Sequence, residues 1–322
     1  MPGKLAKMKN VDVIIVGGGP AGAACAWKLA QHEVDFLVLD KATFPRVKPC
    51  AGWITPLVLR DLKINPADYP FGIKHFTNFQ VSIKNFQFKL STDQYAIRRI
   101  EFDDWLLHRS KPDLVNHSVK EIRFENNRYL IDESFSAKTI VGAGGTNCPV
   151  NKTFFKNQLV QEKGALIVAQ EEEFAYEYQD DRCHLWFLQN GLPGYAWYVP
   201  KANGYVNIGL GGSAAELKKK NVSLKRHWYL LVEKLDKMGL VKDHEYKPVG
   251  HSYYLRGRNP VVRQGNAFII GDSIGLATRD MGEGIGPAIQ SGIRAAEAIL
   301  SDQAFTVKSI QKYSFPSLLG FR

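Results

Sequence analysis

The stretch Val11–Asp40 reads VDVIIVGGGPAGAACAWKLAQHEVDFLVLD and contains a β-α-β pattern. A β-branched apolar run, Val13–Val16, leads into the motif G-x-G-x-x-G; an alanine-rich helical stretch follows, and a second apolar run ends at Asp40. A strand, this glycine motif, a helix and an acidic residue about twenty positions further on are together typical of a dinucleotide-binding Rossmann unit. The sequence therefore predicts an α/β fold that begins with such a unit.

Each glycine of the motif has a separate role in this prediction. We expect Gly17 to permit the tight turn, Gly19 to let a pyrophosphate approach the backbone, and Gly22 to let the helix pack on the strand. The N–H groups at the helix start would face the phosphates, and Asp40 can accept hydrogen bonds from a ribose diol. The alternative is a glycine-rich turn with a purely structural role. The candidate cofactor-binding residues of this unit are Gly17, Gly19, Pro20, Ala21, Gly22, Asp40 and Lys41.

Length and composition indicate a globular protein with two domains. The chain has 322 residues, more than a typical single domain, and contains no apolar run of about eighteen residues. Its basic N-terminus leads directly into the first strand, so we expect no secretory signal. Four widely spaced cysteines argue against a metal site or a disulfide framework and favour a reducing, cytoplasmic location.

The charge balance is basic. The chain has 42 Lys and Arg against 32 Asp and Glu, a net charge of +10, with clusters at residues 4–9 and 218–220. One interpretation is solubility and complementarity to an anionic cofactor; the other is attraction to an anionic membrane surface or to an acidic redox partner. No nucleic-acid-binding motif accompanies the charge, so we expect no nucleic-acid partner.

The loop after Asp40 is predicted to lie on the ligand side of the sheet. Pro45, Pro49 and Gly52 prevent a helix there, and the loop contains Arg46 and Cys50. Loops held in this position by a rigid sheet often bind ligands. Cys50 is equally consistent with a small buried residue and with a role beside a cofactor.

Two stretches follow a β pattern and predict a second domain. Residues 76–90 alternate polar and apolar side chains around a turn at Asn85, and residues 153–262 are rich in strands and aromatics. Within the second stretch, Tyr195-x-Trp197-x-x-Pro200 places both aromatic side chains on one face of a strand. That face is either part of the core or the wall of a site for a flat, apolar ligand.

The C-terminal part contains a second glycine-rich motif. An apolar strand, 267–270, ends at Gly271-Asp272, and a loop leads through Gly282-Glu283-Gly284-Ile285 into a helix of small residues. Asp272 can bind a ribosyl or ribityl hydroxyl, and the helix start can stabilise negative charge on a reduced flavin. Upstream, the glycines after the strand 138–142 make Gly144 a further candidate, where the same sheet would meet the cofactor again.

Taken together, these motifs resemble those of the FAD-dependent geranylgeranyl reductases, within the p-hydroxybenzoate-hydroxylase-like flavoproteins. The motifs that resemble the family are, in chain order, Gly17–Gly22 with Asp40, the loop Phe44–Gly52, Arg99-x-x-Phe102-Asp103, Tyr195-x-Trp197-x-x-Pro200, Gly271-Asp272 and Gly282-Glu283-Gly284-Ile285. Two positions depart from the family pattern: Val199 replaces the usual phenylalanine, and Arg279 replaces the usual proline.

The resemblance implies an α/β fold in which a discontinuous, Rossmann-type FAD domain of the three-layer ββα kind is joined to a second domain, an antiparallel β-sheet that binds the substrate. The FAD domain would comprise residues 1–72, 97–152 and 262–322, and the substrate domain residues 73–96 and 153–261. The loop Cys50, Ala51 and Gly52 would lie beside the isoalloxazine, and Arg99 would reach FAD. The remaining FAD-binding residues would be Gly144, Gly271, Asp272, Gly282, Gly284 and Ile285, and the catalytic residues Cys50, Tyr195 and Trp197.

The implied reaction is hydride transfer between flavin N5 and a small apolar, isoprenoid-like substrate. A flavin monooxygenase or halogenase is the alternative enzyme, with Lys74 and Lys84 as available lysines. A further alternative is a flavin-bearing electron-relay or binding protein that docks through its basic face. Since no second complete dinucleotide motif is present, NAD(P)H would bind only transiently as the electron donor.

Overall fold

Two eight-stranded sheets account for the architecture of the computed structural model, which describes residues 8–156, 162, 164–258 and 261–319. The strands of the first sheet are β1 (Lys9–Val16), β2 (Phe36–Asp40), β6 (Asp113–Asn116), β7 (Ile122–Glu125), β8 (Arg128–Ile131), β9 (Phe135–Gly142), β15 (Arg263–Gln264) and β16 (Ala267–Ile269). The strands of the second sheet are β3 (Trp53–Ile54), β4 (Lys74–Ile83), β5 (Phe86–Ala96), β10 (Leu166–Ala175), β11 (Cys183–Phe187), β12 (Gly194–Lys201), β13 (Tyr205–Ser213) and β14 (Val249–Tyr254). The helices are α1 (Pro20–Ala30), α2 (Pro56–Asp61), α3 (Arg99–His108), α4 (Ala214–Lys219), α5 (Leu224–Lys237), α6 (Ile285–Ser301) and α7 (Phe315–Leu318).

The first sheet has the Rossmann arrangement that the N-terminal motif predicts. Its order is β15-β16-β9-β1-β2-β6, and β1 runs parallel to both β2 and β9. The central strands are apolar on both faces, as expected for parallel strands covered on both sides. Helix α1 packs against α3 and α6, so the first and last long helices of the described chain cover the same sheet.

The second sheet has the order β14-β10-β13-β12-β11-β4-β5-β3 and is antiparallel except for one pair. That pair, β4 and β11, runs parallel because the chain returns to the first sheet between them and no hairpin connects them. The predicted turns at Asn85 and Asn203-Gly204 connect consecutive strands, and both Asn203 and Gly204 have positive φ. A helix from Leu224 to Lys237 covers the outer face of this sheet.

The α/β class with a Rossmann-type unit and a second sheet is therefore confirmed. The residue bounds of the two domains stay a prediction, and one short element crosses them. Strand β3 lies within the range 1–72, yet Trp53 pairs with Ala96 at the edge of the second sheet. Among the described residues, no helix combines the length and the apolar character needed to cross a membrane.

Candidate functional site

The first glycine turn has the close contacts that require glycine. Gly17 has φ +114°, and a Cβ there would lie 2.4 Å from the carbonyl oxygen of Ala143. A Cβ at Gly22 would lie 1.9 Å from the carbonyl oxygen of Gly17. The carboxylate of Asp40, at the end of β2, accepts a hydrogen bond from the N–H of Gly18 at 2.7 Å and thus holds the glycine turn that follows β1. The predicted ribose contact of Asp40 stays a prediction.

The two glycine motifs, which are far apart in sequence, are in contact in the structure. Gly271 has φ +60°, and a Cβ there would lie 2.8 Å from the Cβ of Ala21. Helices α1 and α6 cross at Gly292, where a Cβ would lie 2.1 Å from the carbonyl oxygen of Ala21. These contacts bring the N-terminal ends of both helices to the same edge of the first sheet.

A cavity of about 330 Å³ lies at this edge, between the two glycine motifs and the inner face of the second sheet. The predicted site residues that line it are Pro20, Cys50, Ala51, Arg99, Tyr195, Trp197, Asp272, Gly282, Gly284 and Ile285. The other predicted residues lie outside its wall: Gly17, Gly19, Ala21, Gly22, Asp40, Lys41, Gly52, Gly144 and Gly271. Most of this second group builds the turns behind the cavity, whereas Lys41 and Gly144 are exposed.

One wall of the cavity is aromatic. Tyr195 and Trp197 lie on the same face of β12 with their ring centroids 5.7 Å apart. The Tyr195 hydroxyl donates to the carbonyl oxygen of Met281 at 2.6 Å, and burial raises the pKa of Tyr195 well above its usual value. The Trp197 Nε1–H donates to Oδ1 of Asn207 at 2.7 Å. With both polar atoms satisfied, each ring presents an apolar surface to the cavity.

The loop that contains Cys50 is held by the second sheet. The ammonium group of Lys201 is completely buried and donates to the carbonyl oxygens of Ala51 and Ile97. Asn207 Nδ2 donates to the carbonyl oxygen of Cys50 at 3.3 Å. Burial lowers the pKa of Lys201, against the opposing effect of the Glu173 carboxylate at 3.7 Å. Cys50 and Ala51 are thereby fixed at the cavity edge.

Arg99 lines the cavity as half of a buried ion pair. Its Nε and Nη2 donate to the two carboxylate oxygens of Asp103, both at 2.6 Å, and Nη2 of Arg46 lies 3.2 Å from the same carboxylate. Burial alone would lower the pKa of Arg99, but the Asp103 carboxylate outweighs this effect and raises it. A fixed, permanently charged guanidinium therefore faces the cavity beside Cys50.

Several charged and polar residues of the cavity wall were not predicted from the sequence. They are Glu171, His251 and Tyr253, whereas Lys48 and Glu283, which also line the cavity, belong to the loop predicted on the ligand side and to the second glycine motif. Glu171 belongs to the run QEEE, which is typical of a solvated strand. The signal for an inner position is that Glu171 follows Ile167 and Ala169 at intervals of two, so the three side chains lie on the same face of β10. Burial raises the pKa of Glu171 and of Glu283 to about 7.

The described residues fit an extended dinucleotide. Gly19 precedes α1 without a side-chain cap, so the first N–H groups of that helix are available to phosphate oxygens. A Cβ at Gly19 would lie only 3.3 Å from the guanidinium of Arg46. A phosphate could therefore reach the backbone at Gly19 only through a narrow space, beside a positive charge. At α6 the Glu283 carboxylate accepts from the N–H of Gly286 at 2.5 Å, so this helix start offers fewer free N–H groups than predicted.

Comparisons with known proteins agree with this geometry. Residues 15–48 match the model of the NAD(P)-binding Rossmann-like domain. An uncharacterized protein of Methanosarcina barkeri is 34% identical over 310 residues, covering 91% of this chain and 76% of that protein. Digeranylgeranylglycerophospholipid reductase 2 of Methanopyrus kandleri is 27% identical over 236 residues, covering 67% of this chain and 60% of that protein.

A solved structure shows the same fold. The geranylgeranyl bacteriochlorophyll reductase-like protein of Thermoplasma acidophilum superimposes with a TM-score of 0.78 at 21% identity, over 98% of this chain and 82% of that chain. Fold, site and relatives together define a flavin-dependent oxidoreductase. Among the named relatives and solved structures are geranylgeranyl reductases and a protein described as like them, which confirms the resemblance that the motifs of this chain indicate.

Proposed function

We propose that this chain binds FAD and reduces a carbon–carbon double bond of an apolar, isoprenoid-like substrate. The observation that supports this most directly is the cavity shared by both glycine motifs and the aromatic strand β12. A ligand held by the two motifs would lie against the tyrosine and tryptophan of the opposite sheet. The related Methanopyrus protein is named as a reductase of a geranylgeranyl lipid, which fits a substrate of this class.

FAD, when bound and reduced, supplies a hydride from its N5 atom. In our proposal, the Rossmann turn and Asp40 hold the adenosine half, and Asp272 with Arg99 holds the part of the cofactor nearer the ring. Burial raises the pKa of Asp272, which suits a carboxyl group that hydrogen-bonds a ligand hydroxyl rather than water. With the domain bounds that we propose, this cofactor would lie where the two domains meet.

The substrate would be bound by shape and by exclusion of water. The side of the cavity formed by the second sheet has Ile167, Ala169 and Gly211 next to the two aromatic rings. Burying an isoprenoid chain on such a surface is favourable by about 0.8 kcal/mol for each methylene-sized group. We propose Tyr195 and Trp197 as the residues that orient the double bond, and Cys50 as the residue beside the flavin ring.

The test is anaerobic reduction of the purified holoprotein followed by oxidation with defined compounds. We expect a yellow protein with one FAD per chain, whose dithionite-reduced flavin is reoxidised by geranylgeranyl diphosphate or a prenyl lipid, with a product two mass units heavier. A colourless protein that does not take up FAD would refute the proposal. NAD(P)H replaces dithionite in a parallel series, since we propose it as a transient donor.

The same experiment separates the alternative activities. Reoxidation by oxygen with incorporation of oxygen or halogen into an added substrate would indicate a monooxygenase or halogenase. Neither Lys74 nor Lys84 lines the cavity: Lys74 pairs with Asp181 at 2.9 Å, and Lys84 is exposed at the β4–β5 turn. A flavin reoxidised only by another protein would indicate an electron relay.

We also propose that the basic surface attracts anionic lipid headgroups. The chain has a net charge of +10, and Lys218, Lys219 and Lys220 are exposed beside α5. Sedimentation with vesicles that contain phosphatidylserine should decrease strongly between low and high salt, because such attraction is screened. Equal sedimentation with neutral vesicles would contradict this proposal, and binding of an acidic redox protein instead would favour the alternative partner.

A further inference from the structure

Glu171 is a buried carboxyl group on the cavity wall. Its side chain is only 3% exposed, yet Oε2 has no hydrogen-bond partner among the residues that the structure describes. A buried carboxylate without a partner is costly, so such a group is either protonated or used by a ligand. The surrounding positions Ile167 and Ala169 of the same strand are apolar, which makes this carboxyl group conspicuous on its face of β10.

The register of three strands places the carboxyl group beside the aromatic wall. Glu171 pairs with Gly209 on β13, and Gly209 pairs in turn with Trp197 on β12. A Cβ at Gly209 would lie 2.7 Å from the Cβ of Glu171 and 2.3 Å from the Trp197 ring. Because Gly209 has no side chain, the carboxyl group and the indole are close neighbours on the same face, and both border the cavity.

Burial and the neighbouring groups together allow Glu171 to bind and release a proton near neutral pH. Burial raises the pKa of Glu171 to about 7; Lys201, Lys48 and the Asn207 amide oppose this effect, and Glu173 adds to it. From the adjacent strand β14, burial lowers the pKa of His251 to about 4, and burial raises that of Tyr253 above its usual value. At pH 7 His251 and Tyr253 are therefore neutral, and a proton on Glu171 can be given up at small cost.

We propose that Glu171 is the acid that protonates the substrate double bond when a hydride is added to it from the reduced flavin. This inference rests on the proposed function. The hydride forms a C–H bond to one alkene carbon, the carboxyl proton forms a C–H bond to the other, and the π bond breaks. The flavin loses two electrons and the alkene gains them. Glu171 is left as a carboxylate that regains its proton from solvent, and NAD(P)H or dithionite reduces the flavin again.

The principal test compares Glu171→Gln with Glu172→Gln in the holoprotein. Gln has nearly the shape of a protonated Glu but is not an acid, so we expect E171Q to bind FAD and to be reduced by dithionite as the wild type is. Its reoxidation by geranylgeranyl diphosphate in a single anaerobic turnover should slow by about 10²-fold or more. Glu172 lies on the opposite face of β10, 3.0 Å from His244, and E172Q should stay within about twofold of the wild type.

Two further readouts do not depend on the amount of active enzyme. The single-turnover rate of the wild type should fall as pH rises through about 7, and E171Q should lose this dependence while Glu171→Asp keeps it. The absorption spectrum of the bound oxidised flavin should also change with a midpoint near pH 7 in the wild type and not in E171Q. If E171Q binds FAD poorly, E171D with the spectral titration decides the question.

The outcomes separate this inference from the proposed function. If the wild type reduces a prenyl probe and E171Q reduces it equally fast with an unchanged pH profile, Glu171 is not the acid although the function stands. If the holoprotein reduces no prenyl probe, the function fails, and the role of Glu171 fails with it. A rate loss in E171Q without any change in pH profile or flavin titration would indicate a structural effect and would also overturn the inference.

Discussion

Lys201 and Ala51 are 150 positions apart in the sequence, and the buried ammonium group of Lys201 donates a hydrogen bond to the carbonyl oxygen of Ala51. The same ammonium group donates to the carbonyl oxygen of Ile97 at 2.7 Å. Lys201 is the last residue of β12, the strand with the aromatic wall. The second sheet therefore fixes the position of the loop that we place beside the flavin.

Replacing Lys201 with Met should destabilise the protein. Two carbonyl oxygens would lose their buried donor, and an unpaired buried acceptor costs about 1–3 kcal/mol. We expect K201M to lower the free energy of unfolding by about 2–5 kcal/mol and to weaken FAD binding, as measured by urea denaturation and by fluorescence titration with FAD. Lys237→Met, at an exposed lysine of α5, is the control and should have little effect. Wild-type FAD affinity in K201M would show that the loop needs no such support.

Replacing Gly209 with Ala should change the substrate side of the cavity only. The new Cβ would lie 2.3 Å from the Trp197 ring and 2.7 Å from the Cβ of Glu171, so the indole and the neighbouring carboxyl group must both move. We expect G209A to retain its FAD and to require about tenfold more prenyl probe for half-maximal reoxidation. Gly250→Ala on β14 is the control, because Gly250 lies outside the cavity wall and its Cβ would contact only the carbonyl oxygen of Ala169, at 3.8 Å. Equal effects of the two variants would contradict the role of Trp197 as the wall.

The glycine turns could be predicted from the sequence because their requirement is local. A Cβ at Gly22 would collide with the carbonyl oxygen of Gly17, five positions earlier, and the φ of +114° at Gly17 is itself a local feature of the turn. The predicted strands and hairpin turns follow for the same reason, since alternation and residues such as Asn203-Gly204 specify short-range conformation. That both motifs meet at one cavity was inferred only from their resemblance to a family.

The polar groups of the site depend on long-range register, which the sequence does not display. Glu171 sits in a run of three acidic residues, and only the pairing of β10 with β13 and β14 makes it a buried residue next to the aromatic wall. Similarly, Arg46 was predicted to lie in the ligand loop, but its partner Asp103 is on α3. The charge of each residue was visible in the sequence, whereas the pairing was not.

Replacing Asp103 with Asn should leave the buried Arg99 without its counter-ion. Removing one partner of a buried ion pair commonly costs about 3–5 kcal/mol, because the remaining charge stays desolvated. We expect D103N to lower the free energy of unfolding by this amount and to weaken FAD binding, since Arg99 would lose its fixed orientation. The control is Asp104→Asn at the next, more exposed position, whose carboxylate lies 3.1 Å from His108. Unchanged thermal and urea unfolding of D103N would contradict the prediction.

Glu283 should make the stability of the protein depend on pH. Burial raises the pKa of Glu283 from 4.5 to about 7, so between these values the folded protein binds a proton that the unfolded chain releases. The stabilisation is complete below pH 4.5 and is lost as pH rises through 7, an effect of up to roughly 3 kcal/mol. Glu283→Gln keeps an acceptor for the N–H of Gly286 and cannot ionise.

Urea unfolding at a fixed, saturating FAD concentration should therefore show that the stability difference between E283Q and the wild type grows from pH 5 to pH 8 in favour of E283Q. Comparing variant with wild type at each pH cancels the titration of all other groups, including Glu171 and His251. Glu297→Gln, which replaces an exposed carboxyl group of α6 with an amide, is the control measured over the same pH range. A difference between E283Q and the wild type that stays constant with pH would mean that the Glu283 carboxyl group titrates alike in the folded and unfolded chain, and that the start of α6 is open to water.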